Sequence, residues 1–332
     1  MAQGASTSSL SRDEIARIVS NSQAYSAACV KIQTKTRGLQ PLIYNSIQRD
    51  LTARRTDRML ILKPRQVGSS TWCLFDRCWY PAVTKPDTNV LVMAHEQDLA
   101  EEFLSKMELA HHYLPREFQL QMDEDTKYAK SFPELRSRID IGTFGVARKG
   151  AGARLGRTRQ ILYGTEIADP RVEDDVIRMA MQIVPAEGVI IFDSTPKGRR
   201  GWFFDECMKA LLGESDFTLY FYPAYQHEEY QDPVPAKFKV RKDEEYLIKR
   251  GVSEGYIVWK RRKVREIGEL SFKELYPEDP NECFLFSGSP CFSQTDLEHF
   301  ANSEGFCRYQ WRGKLVEWPR ARGSLQRVHA PS

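Results

Sequence analysis

Lys63, the hydroxyls Ser69, Ser70 and Thr71, and Glu166 are residues whose types and places could do chemistry on a phosphate or on water. The stretch Leu60–Trp72 reads LILKPRQVGSSTW: an apolar run, a turn with Pro64 and Gly68, then the small hydroxyls Ser69, Ser70 and Thr71. A buried strand that turns into a helix offers an anion backbone N–H groups and the positive end of the helix dipole. The usual phosphate-loop pattern is G-x-x-x-x-G-K-[ST]. Aligned on Gly68, this chain has Ser69 in the lysine's place and Lys63 in the first glycine's place. Two readings follow. One is a strand–turn–helix without a ligand; the other is a variant loop whose lysine reaches phosphates from the front.

Other polar groups sit just after apolar runs. Glu166 follows Gln160–Tyr163, Gly164 and Thr165, where a carboxylate could activate water or could simply be solvated. In ATPases with an added sheet strand an acidic pair ends such a strand, and here Thr165 holds the first place, leaving only Glu166 ionisable. Residues 147–158 are basic and glycine-rich, with Arg148, Lys149, Arg154 and Arg157. They read either as a flexible loop or as the source of an arginine that stabilises charge on a transferring phosphoryl group. Ser194, Thr195 and Pro196 follow the run Gly188–Phe192 and are either a tight turn or a sensor of the terminal phosphate. Trp259–Lys263 reads mainly as a solvated helix face, with a DNA-phosphate patch as the lesser reading.

The elements that must position these groups are legible as short apolar runs. Leu60–Leu62, Asn89–Ala94, Gln160–Tyr163, Gly188–Phe192 and Phe217–Tyr222 read as strands, separated by helical stretches such as Asp98–Leu109. Nearly continuous apolar strands alternating with helices predict a parallel sheet covered on both faces, with ligands at the strands' carboxyl ends. Ser11–Glu14 has capping-box spacing for an N-terminal helix, and residues 42–51 suit a helix ahead of the first core strand. Beyond residue 226 the chain turns polar, then strongly charged and helical over 237–269. With 332 residues, 48 basic and 45 acidic, the near-balance of charge argues against a strongly basic nucleic-acid coat protein. The seven cysteines lack a C-x-x-C pair and read as reduced intracellular thiols. No apolar run approaches a membrane span, and the N-terminus has no signal-peptide core, so a cytosolic protein is expected.

The order of these motifs resembles the ATPase half of the large terminase subunit, the motor that packages double-stranded DNA into tailed-phage heads. The matching stretches are Asn45-x-x-Gln48, LKPRQVGSST at 62–71, LVMAHEQDLAEEF at 91–103 and GARLGRTRQILYGTEIA at 152–168. DSTPKG at 193–198, FYPAYQHEEY at 221–230 and the stretch 258–288, with Trp259, Tyr276-Pro277 and Glu282-Cys283-Phe284, complete the match. The resemblance implies an α/β, RecA-like P-loop core of the ASCE type, with a mainly parallel sheet and a small helical lid subdomain. It implies residues 38–225 as the core, 226–300 as the lid, 1–37 as a tail and helix near the lid, and 301–332 as a linker.

What the resemblance implies for the site is ATP hydrolysis with Mg²⁺. Lys63 and Arg65 would contact phosphates within a loop that also includes Pro64, Gln66, Val67, Gly68, Ser69, Ser70 and Thr71. Ser70 would ligand Mg²⁺, with Thr165 in the place of the second metal group, and Gln48 would read adenine. Glu166 would be the catalytic carboxylate, and Arg154, then Arg157 and Arg148, the candidates for an arginine finger. Ser194, Thr195 and Pro196 would couple hydrolysis to movement. The implied partners are double-stranded DNA, a portal protein, a small terminase subunit and further copies of this chain in a ring. The implied setting is the host bacterial cytoplasm, docked on the procapsid portal. Family members usually continue into a nuclease, and this sequence ends about where that domain would begin, so no DNA cleavage is expected from it. The alternatives are another helicase-like translocase and a catalytically weak nucleotide-binding scaffold.

Overall fold

The capping box at Ser11 opens helix α1 (Arg12–Val19): Ser11 Oγ accepts from Glu14 N, and the Glu14 carboxylate accepts from Ser11 N. This computed structural model describes residues 10–34, 38–123, 128–144 and 157–284, and the backbone of two later strands. Helix α2 (Ser22–Cys29) and the hairpin strands β1 (Lys31–Thr34) and β2 (Gly38–Pro41) follow. Helix α3 (Ser46–Arg54) leads into strand β3 (Arg58–Leu62). Helix α4 (Ser69–Trp72), a π-helical segment Cys73–Trp79 and helix α5 (Tyr80–Thr84) run together as one rod. Strand β4 (Asn89–Ala94) and helix α6 (Gln97–His112) form the next unit, then strands β5 (Ala129–Phe132), β6 (Ser137–Thr143) and β7 (Ile161–Thr165). Helix α7 (Asp174–Gln182), strand β8 (Val189–Ser194), helix α8 (Trp202–Leu212) and strand β9 (Thr218–Phe221) complete the sheet region. Three helices follow, α9 (Glu245–Lys249), α10 (Glu254–Ile267) and α11 (Glu269–Leu275). The chain divides after Leu285; of the second unit, strands β10 (Phe306–Trp311) and β11 (Lys314–Pro319) are described as an antiparallel pair.

The sheet has seven strands in the order β5-β6-β4-β7-β8-β3-β9, all parallel except the β5–β6 pair at one edge. Alternation along each strand divides its side chains between two cores. Met59 and Ile61 join one cluster with Val90, Val92, Tyr163 and Ile191 under the α4–α5 rod and α6. Leu60 and Leu62 join the other with Leu91, Met93, Leu162, Ile190 and Phe192 under α7 and α8. Because both faces are covered, the strands need apolar residues at every position, which is why they read as continuous runs. Each large side chain so buried contributes about 1.5–3 kcal/mol. All five expected strands are present and parallel. Strands β5 and β6 were not expected; they carry buried charge, with Lys130 against Glu108 at 2.9 Å and Asp140 against Arg159 at 2.6 Å. Among the described residues no helix is long and apolar enough to cross a membrane.

Candidate functional site

The strand order decides which polar residues meet. The strand with the turn at 63–68 and the strand ending in Glu166 are not adjacent: β8 lies between β3 and β7. Register then pairs Ile61 with Asp193 and Leu62 with Ser194 on one side, and Thr165 with Asp193 on the other. The carboxyl ends of three strands thus deliver Lys63, Glu166 and Asp193–Thr195 to one place.

Lys63 is buried there with two acidic partners. Its Nζ lies 2.9 Å from Glu166 Oε1 and 3.4 Å from Asp193 Oδ2. Burial opposes the ammonium, but the fields of Asp193 and Glu166 outweigh it and hold the lysine above its ordinary pKa. Glu166 answers in kind: burial favours its neutral form, yet Lys63, with help from His95, keeps the carboxyl below the usual range. Glu166 also occupies the left-handed backbone region, φ 54°, which a residue with a Cβ enters at some cost and which marks functional turns. Its Oε2 accepts from Thr195 Oγ1 at 3.4 Å. Ser194, in contrast, takes its hydroxyl to the backbone, accepting from Ala168 N at 3.1 Å, and Pro196 is buried beside it.

Asp193, fully buried, is the hub of the cluster. Its Oδ2 accepts from Ser70 Oγ at 2.9 Å and Ser69 Oγ at 3.3 Å, and its Oδ1 from Tyr163 OH at 3.0 Å. Sequence reasoning assigned no role to Asp193; it reads there as the last residue of a strand, and only the register ties it to the serines. His95, at the end of β4, was missed for the same reason. Thr165 is buried, and its hydroxyl has no hydrogen-bond partner.

The turn is held from behind by the residues expected upstream. Asn45 and Gln48 form a capping box at the start of α3, and each has one amide nitrogen left over. Asn45 Nδ2 donates to Val67 O at 3.0 Å, and Gln48 Nε2 donates to Gly68 O at 2.8 Å. The amide of Gln48 is therefore engaged with the loop itself. Gly68 has φ 81°, and a Cβ there would meet Gln48 Nε2 at 2.8 Å, so the position needs glycine twice over. Gln66 is also left-handed, φ 59°, at an exposed tip shared with Arg65. Val67 is buried, Thr71 half-buried.

On its outer side the turn meets the helices of residues 242–275. Arg65 N donates to Leu275 O at 3.0 Å, and Tyr230 OH donates to Arg65 O. Tyr230 stacks on Trp259 with centroids 4.4 Å apart and planes 7° from parallel, and Tyr276 stands edge-on to both. Gly198 N donates to Glu274 Oε1 at 3.4 Å, so α11 touches the turn and the 194–198 loop together. The basic run after Trp259 is paired: Lys260 with Glu278, Arg261 with Glu244, Arg262 with Asp232 and Lys263 with Glu266. Those side chains brace the helices, which favours the bland reading of that run. Arg157 is exposed, while Arg148 and Arg154 lie outside the described residues.

No protein-family model matches the sequence, and no curated protein matches it. Solved structures do match. The ATPase domain of the Thermus phage P74-26 large terminase, in a single-residue mutant form, is similar over 71% of this chain and 94% of that one, at 14% identity and a TM-score of 0.51. The large terminase of bacteriophage HK97 is similar over 84% of this chain, at 15% identity and a TM-score of 0.55. The match spans 58% of the HK97 chain. With its P-loop-like strand order and two-faced sheet, this chain has the RecA-like α/β fold of phage large terminase ATPase domains.

Proposed function

We propose that this chain is the ATPase motor domain of a DNA-packaging terminase, hydrolysing ATP to drive double-stranded DNA into a procapsid. The observation that carries the reading is the contact of Lys63 with Glu166 at 2.9 Å across the end of the intervening strand. A lysine at the front of a phosphate loop and a carboxylate at a strand end two strands away are the two charges that phosphoryl transfer to water requires. Phosphates entering the loop would draw Lys63 away from Glu166 and leave that carboxylate free to orient the attacking water. The loop's backbone, from Pro64 to Thr71, would cradle the phosphates, with Arg65 at its open tip. A divalent cation bound with the nucleotide would screen the phosphate charge, and the Ser70 hydroxyl fits an oxygen-ligated ion of that kind.

Arg154, with Arg157 and Arg148 behind it, would stabilise charge on the transferring group, in cis or from a neighbouring copy. Thr195, touching Glu166, would pass the change through Ser194–Pro196 to residues 226–300 acting as a lid on a core of residues 38–225. Gln48, which holds Gly68, would sense adenine through the same loop. In this reading the partners are a portal protein, a small terminase subunit and other copies in a ring on the procapsid in the host cytoplasm. Phosphate release from ATP tests the reading. Glu166→Ala should lower turnover by about 10²–10⁴-fold, and equal background release from wild type and variant would reduce the chain to a nucleotide-binding scaffold.

A further inference from the structure

Position 165 lacks the carboxylate that a phosphate-loop ATPase places beside its loop serine, and the residue paired with it across the sheet is an acid. We propose that Asp193, on β8, holds the divalent cation of the bound nucleotide, directly or through water, in place of the acid missing at Thr165. The assignment rests on the nucleotide reading above and names the metal-holding group that reading lacks.

Four observations carry it. Thr165 and Asp193 are register partners in the parallel β7–β8 ladder, so their side chains leave the sheet on the same face. Ser70 Oγ, the hydroxyl expected to ligand the cation, donates to Asp193 Oδ2 at 2.9 Å and to no other group. The Thr165 hydroxyl is buried in the same cluster and lies next to the Tyr163 hydroxyl that donates to Asp193, so position 165 faces the group proposed to hold the cation. Both acids face Lys63, but it is Asp193 that accepts from the two loop serines, while Glu166 accepts from Thr195. Among the described residues no group of three or more His, Cys, Asp or Glu could hold a metal alone. That suits an ion of Mg²⁺ type, which binds through one or two protein oxygens, substrate phosphates and retained waters. Splitting the acids between β7 and β8 keeps the cation's carboxylate on the strand directly beside β3, and leaves Glu166 for water.

The test is binding of ADP by calorimetry, in EDTA and with Mn²⁺, and titration of Mn²⁺ into the protein–ADP complex followed by electron paramagnetic resonance. Asp193→Asn keeps the shape and one acceptor oxygen, for Tyr163 or for the serines, and removes the charge. It should still bind ADP in EDTA, with whatever affinity the lost charge leaves, but the Mn²⁺ affinity of its ADP complex should fall about 10–100-fold. The exchange variant Thr165→Asp/Asp193→Thr keeps one acid in the same buried pair and should recover most of that loss. Undiminished Mn²⁺ affinity in Asp193→Asn, or an exchange variant that binds ADP in EDTA without recovering Mn²⁺, overturns the assignment alone. Wild type that binds no ADP under either condition overturns the nucleotide reading, and the assignment with it.

Discussion

The ammonium of Lys63 is shut between two carboxylates, and the fold can hold these three charges only as a set. Remove the cation and Glu166 and Asp193 face each other across a site from which water is largely excluded. Lys63→Ala should therefore destabilise the chain by about 3–5 kcal/mol at neutral pH, nearer the lower figure because Glu166 is partly exposed. The pH dependence has a definite sign. Lys63 has its pKa raised above 10.5, so its contribution is complete below that pH and is lost as the pH rises through the raised value. Glu166 has its pKa lowered below 4.5, so its contribution is complete above that pH and is lost as the pH falls through the lowered value. Urea denaturation should show the gap between wild type and Lys63→Ala narrowing as the pH falls, because Glu166 without Lys63 keeps only the burial that favours its neutral form, and narrowing again as the pH rises above 10.5. A gap that widens in acid would contradict the charge-triad account. Lys63 and Glu166 were legible from sequence because each follows an apolar run. Asp193 was not, since its meaning depends on β8 being inserted between β3 and β7, and insertion order leaves no trace in local spacing.

At the scale of elements, the sheet was readable where strands are apolar on both faces and unreadable where they are not. Ala129–Phe132 contains the buried Lys130, and its pairing partner β6 contains Asp140; both look like solvated chain until Glu108, Arg138 and Arg159 supply their counter-charges. The helices after residue 242 were legible as helices. That the turn at 63–68 is held from this side was not, because a backbone carbonyl, Leu275 O, and the hydroxyl of Tyr230 make the contacts. Tyr230→Phe isolates that hydroxyl: the ring keeps its stack on Trp259, and only the bond to Arg65 O is lost. A neutral hydrogen bond is worth about 1 kcal/mol. Amide hydrogen exchange at Arg65–Gly68 should accordingly quicken by roughly fivefold while the global melting temperature moves little. Unchanged exchange would mean that Leu275, Asn45 and Gln48 order the turn without Tyr230.

For the molecule as a whole, the question is whether one copy is a complete machine. Among the described residues no arginine joins the cluster of Lys63, Asp193 and Glu166, and Arg157 is exposed. If the missing positive charge comes from a neighbour, turnover per chain should rise with protein concentration. Mixtures of inactive Glu166→Ala and Arg154→Ala chains should also regain part of the lost phosphate release, read in a steady-state assay. No recovery at any ratio would point to an arginine of the same chain. A short element joins the two loops of the candidate site. Helix α11 has seven residues, about 10 Å of rod, too short to bend. One end of it stands on both the phosphate turn, through Leu275, and the 194–198 loop, through Glu274. A shift of the helix end therefore acts on both contacts, the backbone one at Leu275 and the side-chain one at Glu274. Its consequence is synchrony: a displacement of the 63–68 turn that moves the end of α11 is felt at the 194–198 loop in the same event.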